Sequence, residues 1–150
     1  MSSIVPSTKS YIDVHIDELN KLMPLIWCRE SSGFPQEWTE DNPSCGQCHP
    51  TTRLVRALYG GVIITQTLKP AFVKPSEPKF WGHCVNEING YRYDLTSDQL
   101  KCEVYSVVRE QIWPVEEIIQ FDAEWPGMKQ MILALFVAYE SQTGVRLAVR

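Results

Sequence analysis

Residues 42–61, NPSCGQCHPTTRLVRALYGG, read as a polar loop running into a helix that begins near Cys48 and stops at Gly60-Gly61. Pro50 suits only the first turn of such a helix, where its missing N–H would lack a partner anyway. The glycine pair ends it. Thr51 and Thr52, Val55, and Leu58 and Tyr59 follow Cys48 at offsets of three, four, seven, ten and eleven. The cysteine therefore shares the core-facing side of the helix. A thiol at a helix N-terminus feels the positive end of the dipole, which lowers its pKa. The first-turn N–H groups stay free for a developing oxyanion, and Gln47 is a candidate additional donor.

Working outward, Val14, Ile16, Leu19, Leu22, Met23, Ile26 and Trp27 recur at helical spacing and predict a helix from Asp13 to about Cys28, kinked or split at Pro24. Arg29–Gly46 is rich in Ser, Gly, Pro, Asn and acidic residues and reads as a long loop, with Trp38 anchoring it to the core. Residues 1–11 read as a loose end, and His15 as an exposed helix residue. Val62–Leu68 is β-branched and strand-like. Lys69–Lys79 holds three prolines and reads as a surface excursion, placed to act as a lid. Glu103–Ile112 reads as a strand continuing into WPVEEIIQF, and Pro126–Gln142 as a C-terminal helix with Met128, Met131, Ile132, Leu135, Phe136 and Tyr139 on one side. The pattern predicts one α+β domain over residues 1–150, with helices on a mostly antiparallel sheet. Its core spans about 13–112 and a helical C-terminal part about 113–150.

The second informative stretch is His83–Gln99, HCVNEINGYRYDLTSDQ. Asn89-Gly90 is the strongest hairpin signal in the chain, with strands expected over Phe80–Ile88 and Tyr91–Leu95. Pairing Ile88 with Tyr91 sets Val85 opposite Asp94 and His83 opposite Thr96. His83 and Asp94 then share a face as diagonal neighbours. An aspartate so placed holds the imidazole in one tautomer and leaves the other nitrogen for a thiol. A register slip of one residue would send the two to opposite faces. Asp94 also fits a plainer role, accepting from backbone N–H groups near Thr96–Asp98, and Asn86 and Gln99 fit cross-links between loops.

Gly46, Gln47, Cys48, Thr51, Val55, Tyr59, Gly60 and Gly61, followed by His83, Asn86, Gly90, Asp94, Leu95, Thr96 and Gln99, resemble the YunG-like family of small uncharacterised bacterial proteins. The likeness runs from about Asn42 to Leu100. The order of cysteine on a helix, then histidine, then aspartate is similar to the transglutaminase-like branch of the papain-like fold. That resemblance implies a Cys48-His83-Asp94 site with Gln47, Asn86 and Gln99 as oxyanion or supporting residues. The chain departs from the pattern at Cys45, where an aromatic residue is expected, and at His49-Pro50.

The expected chemistry is thiolate attack on an amide, ester or thioester of a peptide or small acyl substrate, giving an acyl-enzyme that water or an amine resolves. It requires no metal or organic cofactor. An alternative is a binding module on the same fold without turnover. Another is a zinc site drawn from Cys45, Cys48 and His83, with Cys84 as a fourth donor; adjacent strand residues 83 and 84 point to opposite faces, which weighs against using both. Cys45–His49 also spells C-x-x-C-H, the c-type haem motif, and a thioredoxin-like C-x-x-C, which would need an apolar strand leading into it. Cys28, Cys84 and Cys102 read as small buried hydrophobes.

The apolar share is 44%, the charged share 21% and the net charge −4. The isoelectric point near 5.4 and scattered basic residues speak against nucleic acid and membrane surfaces as partners. Five cysteines without a leader pattern predict free thiols and a cytoplasmic setting.

Overall fold

The computed structural model describes residues 8–72, 75–76, 80–100, 105–124 and 127–148. Cys102, much of the proline-rich excursion, the expected strand start at Glu103 and the expected helix start at Pro126 lie outside these residues. The architecture is α+β: β1 (Thr8–Ser10), α1 (Ile16–Ile26), α2 (Cys48–Tyr59), β2 (Val62–Pro70), β3 (Trp81–Ile88), β4 (Tyr91–Tyr93), β5 (Tyr105–Ile112), α3 (Val115–Glu124), α4 (Gly127–Thr143) and β6 (Arg146–Ala148). Strands β4-β3-β2-β5 form a four-stranded antiparallel sheet in that order. β1 and β6 pair in parallel as a separate two-stranded sheet.

The helical core follows from apolar periodicity. Leu19, Leu22, Met23 and Ile26 of α1, Leu54, Val55 and Leu58 of α2, and Met131, Leu135, Ala138 and Tyr139 of α4 share one buried cluster. α4 is thus part of the same core as α1 and α2. A smaller cluster of Ile63, Cys84, Trp113 and Ile118, with Cys48 packed against it, sits where the start of α2 meets the sheet. Asn86 Nδ2 donates to Thr52 O at 2.9 Å and ties β3 to α2 at the buried interface.

Several expectations need correcting. The segment after β5 is not further strand but α3: Pro114 breaks the ladder, and Glu116 and Glu117 favour a helix first turn. The chain's beginning is not loose at residues 8–10, because β1 pairs with β6, 136 or more residues away by sequence and invisible to local pattern. His15 is the N-cap of α1: its Nδ1 accepts from Asp17 N at 3.2 Å while Glu18 reaches back to the His15 N–H, a capping box built with an imidazole. Pro24 neither splits nor ends α1, which runs on to Ile26, since it lies in the last turn. Trp38 is half-buried and braces its own loop, donating from Nε1 to Pro43 O at 2.9 Å under the Arg29 guanidinium, rather than entering either core cluster.

Candidate functional site

α2 carries Cys48 at its first residue, and the preceding loop folds back to frame it. Gln47 is fully buried. Its Oε1 accepts from Ser31 Oγ at 2.8 Å and its Nε2 donates to Cys28 O at 2.9 Å. This carboxamide therefore pins the loop entering α2 to the end of α1. Pro50 has no N–H, and Thr51 N already donates to Gln47 O at 2.9 Å, so the first-turn donors left by helix geometry are those of Cys48 and His49.

β3 brings two partners to the Cys48 sulfur. The hairpin has the expected register, Ile88 with Tyr91 and Asn86 with Tyr93, and Asn89 and Gly90 both adopt positive φ, 51° and 81°. The ladder stops at Tyr93, one residue before Asp94. The turn that follows still delivers the carboxylate: Asp94 Oδ2 lies 2.7 Å from His83 Nε2. Asp94 Oδ1 accepts from Thr96 N at 3.2 Å, so orienting the histidine and closing the turn are done by the two oxygens of one side chain. His83 is buried, and Cys48 is among the neighbours that favour its charged form. With Nε2 on Asp94, Nδ1 is the nitrogen left for the sulfur.

Cys84 is the participant that sequence reading missed. Strand alternation sends the Cβ atoms of His83 and Cys84 to opposite faces, yet both side chains act to lower the pKa of the Cys48 thiol, and the Cys84 sulfur lies within 4.8 Å of it. The Cys84 thiol is buried, and donation to Cys48 together with that burial raises its pKa well above the ordinary range. In return the Cys48 thiol is held down to about 4, by the Cys84 hydrogen bond first, then by His83 and the nearby charge of His49, against a burial penalty. His83 is raised to about 9: burial opposes its charge, but the Asp94 and Cys48 hydrogen bonds outweigh it. Both shifts favour a thiolate at Cys48 and an imidazolium at His83.

Two clefts open beside the sulfur. One, of about 480 Å³, is lined by Phe34, Pro50, Arg53 and Phe121. The other, of about 350 Å³, is lined by Cys45, Trp81 and Gln99. Cys48, Phe34, Gly46 and Gly82 border both. His49 and Pro50 line the larger cleft without closing it, the His49 ring lying edge-on to Trp113 at 5.1 Å. Arg53, buried and 2.7 Å from Asp122 Oδ1, with its guanidinium 4.5 Å from the Phe121 ring centre, fixes α3 as the far wall. Gln99 Nε2 donates to Ser44 O at 2.5 Å, tying the turn after Asp94 to the loop before Cys48.

Gly82 is exposed, and a Cβ there would meet nothing within 4 Å. Replacing it by Trp is expected to preserve the fold and slow alkylation of Cys48 by N-phenylmaleimide at least about tenfold more than by iodoacetamide. Equal slowing of both reagents would show that Gly82 does not border the approach to the sulfur.

The zinc donor set anticipated from Cys45, Cys48 and His83 does not gather. Among the described residues, the metal-ligating side chains that cluster are Cys48, His49 and Cys84. Cys45 lies in the turn before Gly46 and lines only the smaller cleft. No described helix is long and apolar enough to cross a membrane.

Comparison with known proteins places the chain in a family. The chain is 33% identical over 89 residues to a Bacillus subtilis (strain 168) protein described as uncharacterized protein YunG, a match covering 59% of this chain and 66% of that relative. The chain thus spans just under two thirds of the relative's length. No solved structure matches it. The YunG protein family model matches residues 15–129, from the cap of α1 to the start of α4, and the chain belongs to that family.

Proposed function

We propose that this protein is a cysteine-nucleophile hydrolase or acyltransferase acting on an amide, ester or thioester carbonyl, on a papain-like, transglutaminase-like arrangement. The observation that carries the reading is the Asp94 Oδ2–His83 Nε2 contact of 2.7 Å, on a histidine that in turn lowers the pKa of the Cys48 thiol at the start of α2. Cys48 attacks as thiolate, and the carbonyl oxygen takes the negative charge beside the Cys48 and His49 N–H groups. His83 gives its proton to the leaving amine, alcohol or thiol, then recovers one from the water or amine that resolves the acyl-enzyme. Asp94 keeps the imidazole oriented and balances its charge. Gln47, Asn86 and Gln99 act as supports through the loop and strand contacts described above. Two clefts that share Cys48 as a lining residue suit a substrate with groups on both sides of the carbonyl, such as a peptide or a small acyl conjugate.

The test is covalent trapping. The wild-type protein is expected to gain one acyl group from p-nitrophenyl acetate or an acyl thioester, seen by intact mass and mapped to Cys48. Cys48→Ala is expected to gain none while keeping its circular dichroism and urea midpoint. An adduct retained in Cys48→Ala, or none in wild type with either reagent class, sinks the proposal.

A further inference from the structure

The sulfur pair at the mouth of α2 is also a ligand set. Cys48 Sγ, a His49 ring nitrogen and Cys84 Sγ all lie within 4.8 Å of one another. A tetrahedral ion with Zn–S of about 2.3 Å and Zn–N of about 2.0 Å holds its donors roughly 3.3–3.8 Å apart. The three side chains therefore close onto such an ion by shifts of about 1 Å. His49 is exposed, with its ring edge-on to Trp113 as the contact such a shift would adjust.

We propose that Cys48, His49 and Cys84 form a site for a thiophilic divalent cation of the zinc class. Two thiolates and an imidazole exclude magnesium and calcium, which take oxygen ligands. Three protein ligands leave a fourth position, and Cys48 and His49 both face the larger cleft, so water or a small anion from that cleft completes the tetrahedron. The proton balance is simple. Each cysteine binds as a thiolate and His49 through an unprotonated ring nitrogen, so the protons these groups carry are released to solvent on binding. The resulting centre, one dication with two thiolates, is neutral. His83 and Asp94 are not ligands. Coordination draws negative charge from the Cys48 sulfur onto the ion and holds the sulfur there, so occupancy lowers its reactivity toward a carbonyl. That consequence rests on the proposed function, whereas the site itself does not.

Cobalt(II) titration of the reduced, metal-free full chain under anaerobic conditions is the direct test. One equivalent is expected to give thiolate-to-cobalt charge-transfer absorption with tetrahedral d–d bands, and zinc is expected to displace it. Cys84→Ser, close in size to the native residue, should weaken binding by about 100-fold or more, and His49→Ala by about tenfold. Cys45→Ser should bind like wild type. Zinc should protect wild-type Cys48 from iodoacetamide until a chelator is added. Absence of the charge-transfer band at one equivalent, wild-type affinity in Cys84→Ser, or loss of binding in Cys45→Ser each overturns the site. Cobalt binding by a Cys48 that alkylates only at alkaline pH keeps the site and removes the hydrolase reading. Acid-range alkylation without a cobalt band does the reverse.

Discussion

At pH 5, iodoacetamide is expected to modify Cys48 roughly 10 to 100 times faster than an ordinary accessible thiol. An ordinary thiol titrates near about 8.5, so at this pH it has about three and a half decades less thiolate than Cys48. The low pKa of Cys48, about 4, also makes its sulfur about two decades less nucleophilic. The surplus of thiolate wins by between one and two decades. The rate should fall as pH drops through about 4, where Cys48 takes up its proton. Turnover should decline on the alkaline side as pH rises through about 9, where His83 loses the proton needed by the leaving group. Alkylation, which needs no proton donor, should not share that second limb. Cys84→Ala removes the largest cause of the low pKa and His83→Ala the next favourable one, so each should shift the acid limb upward and cut the pH 5 rate by about tenfold. Peptide mass mapping across a pH series reads all three proteins. A wild-type Cys48 titrating with the ordinary thiols would leave neither histidine nor Cys84 any part in activating it.

Gly46→Ala is expected to cost about 2–5 kcal/mol of stability, combining left-handed backbone strain with overpacking. Gly46 has φ +69°, and an added Cβ would collide with Ser32 Oγ and lie 2.8 Å from the backbone nitrogens of both Gly33 and Phe34. Two of these three obstacles are backbone, and the loop is stitched there by Gly33 N donating to Gly46 O at 2.8 Å. Relief must displace either the Ser32–Phe34 segment or the chain leading into Cys48, and both border the clefts. Urea unfolding should show the loss of stability. Alkylation at pH 5 should show a slower Cys48 even where the protein remains folded. A variant with wild-type midpoint and wild-type rate would mean that the loop yields at no cost.

The legibility of the site differed residue by residue. Cys48, His83 and Asp94 stood out because helix and hairpin periodicities are local, and Asn89-Gly90 sets a register that carries across a few residues. Cys84 did not, since alternation describes where a Cβ leaves the strand, not where a helix from another part of the chain will rest upon it. His49 was readable as a first-turn polar group, but its nearness to two sulfurs depends on how α2 docks on β3. C-x-x-C spacing is local and pointed to Cys45 beside Cys48, whereas the fold gathers Cys48 with His49 and Cys84.

By itself the sequence determined α2 from Cys48 to the glycine pair, the β3–β4 register, the apolar stripe of α4 and the α+β class, because each depends on residues within about two turns or one hairpin of each other. The tertiary structure alone decided that residues 8–10 pair with 146–148, that the segment after Pro114 packs as α3 against Arg53, and that a second thiol meets the first. Those outcomes arise from long-range burial and pairing, whose partners carry no mark of one another in the local order of residues.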